Sequence, residues 1–304
     1  MFAKVAAFEL RYQLRQPAFW VISILFGLMG FGLIAAGDNI SIGGGGNTHL
    51  NSPFSLILTH MVLAVFFMLA TTAIVANVVA RDATTGFGPM IQSSRVSKFD
   101  YLYGRFLGAF IAVALCYLSV SIGTIAGTLA PWVDKETLGA FRPDAYAYAY
   151  FVMGLPAVFL TSAIFFALAT VTRSMMATYV GVVAFFIVYL TLTSSLDRPE
   201  FRDALAWLEP FGLSAISEVT RYWTPAERNT RLPELTGVLL GNRVIWTLVG
   251  VAFLAAAYAL YRPAARGAKA GKQDKLRALA AKETPVAASG PPPRSAVASQ
   301  PPRD

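Results

Sequence analysis

Six long apolar runs dominate this chain, at residues 18–36, 54–79, 106–129, 150–171, 175–192 and 243–261. A helix rises ~1.5 Å per residue, so each run is long enough to cross a hydrocarbon layer about 30 Å thick. A chain built this way works in or across a bilayer, which excludes most soluble functions. The expected fold class is all-α and integral to a membrane. Six transmembrane helices would have both termini cytoplasmic, with an interfacial amphipathic helix first and an extracytoplasmic helical insertion before the last span. Composition points the same way: 56% of residues are apolar and 14% charged, where soluble domains hold ~25% charged residues. The single cysteine, Cys116, lies inside the third run, so neither a disulfide framework nor a thiol metal cluster is expected.

The basic residues set the expected orientation. With the N-terminus inside, the inner segments hold Lys4, Arg11, Arg15, Arg81, Arg95, Lys98, Arg105, Arg173 and nine more after residue 261, together 17 of the 25. The short outer loop 37–53 has none, and the outer loop 130–149 has two, Lys135 and Arg142. The longer segment 193–242 carries five basic and seven acidic residues, but long loops count less in the orientation rule. The formal charge of +8 abuts span ends, where it meets anionic headgroups, and no aromatic-basic groove accompanies it, so no nucleic-acid partner is expected. The first run exceeds the 7–15 apolar residues of a cleaved signal and follows a long leader, so it reads as a span.

Residues 1–17 read as an interfacial helix ended by Pro17. At 100° per residue Lys4, Arg11 and Arg15 share one ridge, while Phe2, Val5, Phe8 and Tyr12 spread over other faces. Residues 18–262 form the six-span domain. Within it, 81–105 (RDATTGFGPMIQSSRVSKFDYLYGR) is the largest internal cytoplasmic connection. A short helical piece near 83–92, interrupted by Gly86, Gly88 and Pro89, is expected before a polar turn at 93–98. Only 172–174 join the fourth and fifth runs, a tight hairpin, and Pro156 is expected to kink the fourth span. Segment 193–242, with an apolar stretch at 204–216, reads as one or two amphipathic helices resting on the outer surface or partly re-entrant. The tail 263–304, rich in Ala, Pro, Lys and Arg, has no core-forming pattern and is expected to be disordered, as a free terminus or a linker.

No catalytic constellation emerges. Gly43, Gly44, Gly45 and Gly46 suggest a phosphate loop, but no Gly-Lys-Ser/Thr follows. The two histidines, His49 and His60, form no His-Glu-x-x-His pair. Ser214, in Gly212-Leu213-Ser214-Ala215, superficially resembles a serine nucleophile, yet the only candidate bases lie more than 150 residues upstream. Buried charges would mark an ion-coupled carrier, and the spans hold almost none. His60 and Asn77 are the strongest polar candidates there, each read first as a packing residue, and Tyr117, Ser119, Ser121 and Thr124 suit helix–helix contact. That balance argues for energy supplied from outside the membrane.

The order of parts resembles the membrane subunit of type-2 ATP-binding-cassette exporters. FELRYQLRQPAFW at 8–20 is similar to that family's entry helix. DATTGFGPMIQSSRVSKFDYLYGRFLG at 82–108 is similar to its coupling segment, although Asp82 stands alone where several acidic residues often precede the glycine. EPFGLSAISEVTRYWTPAERNTRLPELTG at 209–237 resembles a subgroup joined to, or beside, a second permease half and a zinc aminopeptidase. The resemblance covers roughly residues 1–262. It implies a permease with no catalytic residue and no directly bound cofactor, ATP and magnesium being held by a partner ATPase subunit. It also implies a second six-span half (identical, paralogous or fused) and an inner-membrane location. The expected ATPase contact is Thr85, Gly86, Gly88, Pro89, Met90, Ile91, Gln92 and Arg95, with the helix bearing Lys4, Phe8, Arg11 and Arg15 as a lever. The alternative is a non-transporting membrane anchor or scaffold for a hydrolase or regulator.

Overall fold

A computed structural model of the chain describes residues 1–85, 96–194 and 201–261, without the side chains of 38, 39, 80 and 82–85. Described residues are helical or in loops, with one isolated bridge between Gly45 and Thr48. Helix α1 (Phe2–Leu14) precedes α2 (Pro17–Ala35), α3 (Pro53–Thr85) and α4 (Lys98–Thr128). Then come α5 (Pro143–Ala147), a π-helical stretch (Tyr148–Gly154), α6 (Leu155–Thr172) and α7 (Met175–Thr193). Three short helices follow, α8 (Arg202–Leu208), α9 (Leu213–Val219) and α10 (Pro225–Thr230), before α11 (Gly237–Leu260). Six stretches are long and apolar enough to cross a membrane: Pro17–Ala35, Pro53–Val79, Lys98–Thr128, Pro143–Thr172, Met175–Thr193 and Gly237–Leu260.

Local chemistry sets the boundaries. Pro17 opens α2, where its missing N–H costs no helical bond. Ser97 caps α4 by accepting from the Asp100 N–H at 3.0 Å, and Asp100 adds negative charge at the positive helix end. The α6–α7 hairpin turns on Arg173, in the left-handed region at φ 52°, and Ser174 caps α7 through the Ala177 N–H. Pro156 lies in the first turn of α6, directly after the π-helical turns of Tyr148–Gly154. The fourth span starts at Pro143, seven residues before its apolar run, because 143–149 already winds as helix. Among the described residues of 193–242, three short helices separate α7 from α11 instead of one or two, since Glu209, Pro210, Phe211 and Gly212 interrupt the apolar stretch.

Helix α3 is the centre, packed against α4, α6, α7 and the π-helical stretch. Its apolar window is 67% buried, against 17% for α7. Phe67, Tyr117, Phe165 and Phe166 fill the largest core cluster. Lipid is as apolar as these side chains, so close packing and hydrogen bonds, more than hydrophobic transfer, hold such helices together. The α2–α4 contact shows the consequence. A Cβ on Gly123 would overlap the Gly27 carbonyl oxygen, and one on Gly30 would lie 2.7 Å from the Val120 carbonyl oxygen. The two backbones touch directly.

Candidate functional site

The chain's most demanding electrostatics lie where α1 meets α3 and α4. Helix α1 buries one edge, Ala6, Glu9 and Gln13. It lies close to α4 because Gly108 offers no side chain: a Cβ there would lie 2.8 Å from the Glu9 Cβ. Glu9 is thereby fully enclosed, and a buried carboxylate needs partners. Arg81 Nη2, near the end of α3, donates to Glu9 Oε2 at 2.7 Å. Arg105, in the second turn of α4, reaches the same oxygen through Nε and Nη2, both at 3.2 Å. Gln13 Nε2 donates to Oε1 at 2.8 Å. Arg81 also lies 3.8 Å from the Tyr12 ring centroid, and Arg105 donates to the Tyr101 hydroxyl at 3.2 Å. One carboxylate on α1 thus grips an arginine on each side of the α3–α4 connection.

An aromatic cluster adjoins this joint. Tyr103 stacks on Tyr258 at 5.6 Å, Lys98 Nζ sits 4.5 Å over Tyr258, and Arg173 lies 6.0 Å from Tyr261. Phe2 of α1 contacts Phe99 at 6.1 Å. The end of α11 is in this way fastened to the start of α4.

The opposite end of the bundle holds a second knot. Asn242 Nδ2 donates to the carbonyls of Ala206, Trp207 and Glu209 at 2.9–3.0 Å. Its Oδ1 accepts from Arg243 Nη2 at 2.6 Å, and Arg243 also donates to Pro210 and Met153 carbonyls. Glu209 accepts from the backbone N–H of Phe211 at 2.8 Å and of Ser214 at 3.2 Å. Burial pushes the Glu209 carboxyl above the usual carboxylate range, against those N–H groups and Arg243, which pull it down. Beyond the knot, α10 is clasped to the loop before α3: Asn229 accepts from the His49 N–H at 2.8 Å and donates to the Asn47 carbonyl at 2.9 Å. Glu227 there closes a capping box with Thr224, whose N–H and hydroxyl hold its carboxyl below the usual range.

The expected site residues divide. Lys4, Phe8, Arg11 and Arg15 are exposed, and Phe8 shares the basic ridge instead of spreading to another face. Thr85 ends α3; Gly86, Gly88, Pro89, Met90, Ile91, Gln92 and Arg95 lie outside the described residues, as does the tail 263–304. His60 is a packing residue. Its Nδ1 lies 2.8 Å from the Leu56 carbonyl, which can only accept, so Nδ1 carries the hydrogen. Nε2 therefore accepts from the Ser121 hydroxyl at 2.7 Å. Asn77 is half-buried. Ser214 Oγ is buried with no hydrogen-bond partner among the described residues, so no base holds its proton. No group of three or more His, Cys, Asp or Glu among the described residues could hold a metal ion. Sequence reasoning missed Glu9. Its signal was present, as the sole acidic residue of an otherwise basic helix.

Neither a scan against protein-family models nor a search of curated proteins gives a match. The fold therefore defines the chain only as helical, with six helices suited to crossing a membrane.

Proposed function

We propose that this chain is the permease subunit of an ATP-driven exporter of the type-2 ATP-binding-cassette class. It would form half of a translocation pathway in the inner membrane with both termini cytoplasmic. The single observation that carries the reading is the Glu9 joint. Work done on a membrane bundle from outside must enter through a segment that is firmly attached to the spans. Here the connection between α3 and α4 is bracketed by Arg81 and Arg105, and both are bound to one buried carboxylate of α1. Push at that connection, and α1, α3 and α4 respond together.

The rest of the reading rests on the sequence resemblance and on the distribution of the basic residues. An ATPase subunit holding ATP and magnesium docks on 85–95 with α1 as a lever. A second six-span half, identical, paralogous or fused, completes the pathway, and a zinc aminopeptidase is a candidate neighbour. α8, α9 and α10 lie on the extracytoplasmic side. Replacing 88–92 by a flexible polar linker should leave membrane insertion intact and abolish stimulation of the co-purifying ATPase in reconstituted vesicles. Stimulation that survives this change, or a mild-detergent preparation containing no ATPase, would overturn the proposal and favour a non-transporting scaffold.

A further inference from the structure

Helix α1 has two opposed edges of different chemistry. Lys4, Phe8, Arg11 and Arg15 follow the spacing i, i+4, i+7, i+11 and fall within about 60° of one another at 100° per residue. All four are exposed, Phe8 at 66%. The three cations of this edge make no ion pair among the described residues. The helix's one anion, Glu9, lies on the opposite, buried edge with Ala6 and Gln13. The outward charge of α1 is entirely positive.

Two features identify what covers this edge. The apolar side chain among the cations suits a headgroup–acyl boundary better than water or an acidic protein surface. The edge also continues into the exposed apolar face of α2, which begins at Trp20 and runs through Val21, Ile24, Leu25 and Leu28. Trp20 ties the two helices by donating from Nε1 to the Leu14 carbonyl at 3.0 Å. A surface that α2 must present to lipid is thus continuous with a cationic strip at its end, and charge complementarity selects anionic headgroups.

We propose that α1 senses anionic phospholipid: its exposed edge binds negatively charged headgroups, and the Glu9 carboxylate on its buried edge relays that binding to the facing ends of α3 and α4. Lipid charge shifts the equilibrium because it favours only the state in which α1 lies docked in the interface. Each interfacial cation contributes about a five-fold preference, so three together give roughly a hundred-fold. In the docked state Glu9 holds Arg81 and Arg105; when α1 lifts, both lose that shared partner. The inference concerns the lipid surface and stands without the transport reading.

The experiment is amide hydrogen exchange on the full chain in nanodiscs of phosphatidylcholine alone or with about one third phosphatidylglycerol. Wild type should exchange up to about a hundred-fold more slowly in the anionic discs at α1, at 81–85 and at 98–101. The triple variant Lys4→Gln, Arg11→Gln, Arg15→Gln should lose the difference at all three places. Glu9→Gln should keep it within α1 and lose it at the ends of α3 and α4. Should Glu9→Gln fail to fold, Arg81→Gln is the substitute; it should lose the difference at 81–85 and keep it at 98–101. Equal exchange of wild type in the two lipids, or a triple variant that keeps the difference, overturns the lipid site. A Glu9→Gln protein that still shows it at α3 and α4, or an Arg81→Gln protein that keeps it at 81–85, overturns the relay. No ATPase is needed, so failure of the exporter reading leaves the result unaffected.

Discussion

Glu9 and Glu209 are both buried carboxylates beside arginines, at opposite ends of one bundle, yet they are fastened by different means. Glu9 is held by the side chains of Arg81, Arg105 and Gln13, on three helices whose contacts span up to 96 residues of sequence. Glu209 is held by backbone N–H groups two and five residues ahead, with the Tyr189 side chain of α7 as a further partner, and its neighbours Asn242 and Arg243 grip backbone carbonyls. Backbone anchors fix a local turn and leave little room for rearrangement. Side-chain anchors join separate elements that can move apart as bodies. The first kind suits a permanent corner, the second a joint that transmits force.

Removing each anchor tests that contrast. Glu9→Ala should show the largest effect, since it takes the shared anion from two mostly buried guanidinium groups. About 3 kcal/mol of stability should be lost, read as a fall in thermal midpoint in detergent. A loss below 1 kcal/mol would reduce the joint to a surface ion pair. Asn242→Ala should follow at roughly 2 kcal/mol, because three carbonyls lose their donor together. Its damage should stay local, raising amide exchange in α8 and the start of α11 while α1 is unchanged; increased exchange in α1 would erase the distinction between the two ends.

The smallest effect separates the carboxylates by pH. Glu209 has a raised folded-state pKa, so its contribution is fully present below the unfolded value near 4.5 and is lost as pH rises through the folded value. Glu227 has the reverse sign: its contribution holds above about 4.5 and is lost as pH falls through its lowered value. Between pH 4 and 8, thermal midpoints of Glu209→Gln should therefore gain on wild type as pH rises. A parallel pair of curves would mean that Glu209 pays no desolvation cost.

The spans were readable because each needs only a long apolar run, and the hairpin at Arg173 because three residues leave no other geometry. The π-helical stretch before Pro156 was not, since proline announces a missing donor without saying how neighbouring turns wind. Glu9 was passed over for a different reason. In sequence it is one charge among basic residues, and its meaning depends on Arg81 and Arg105, 72 and 96 positions away. Arg243 likewise reads as a charge at the mouth of a span, because carbonyl groups, which every residue supplies, leave no compositional trace. The basic ridge of α1 was half legible: helical spacing aligned its cations, but the exposure of Phe8 beside them depended on which edge α4 would cover.

The glycine contact between α2 and α4 sets how the joint's motion can spread. Where Gly27 and Gly123 meet, main chain rests on main chain, and Ser23 and Cys116 pin the same seam through a hydrogen bond at 3.2 Å. Any tilt imposed on α4 at Arg105 must carry α2 along like the two welded flanges of a single beam. The pair α2 and α4 would then tilt as one unit, and the seams able to yield would be those lined by larger side chains.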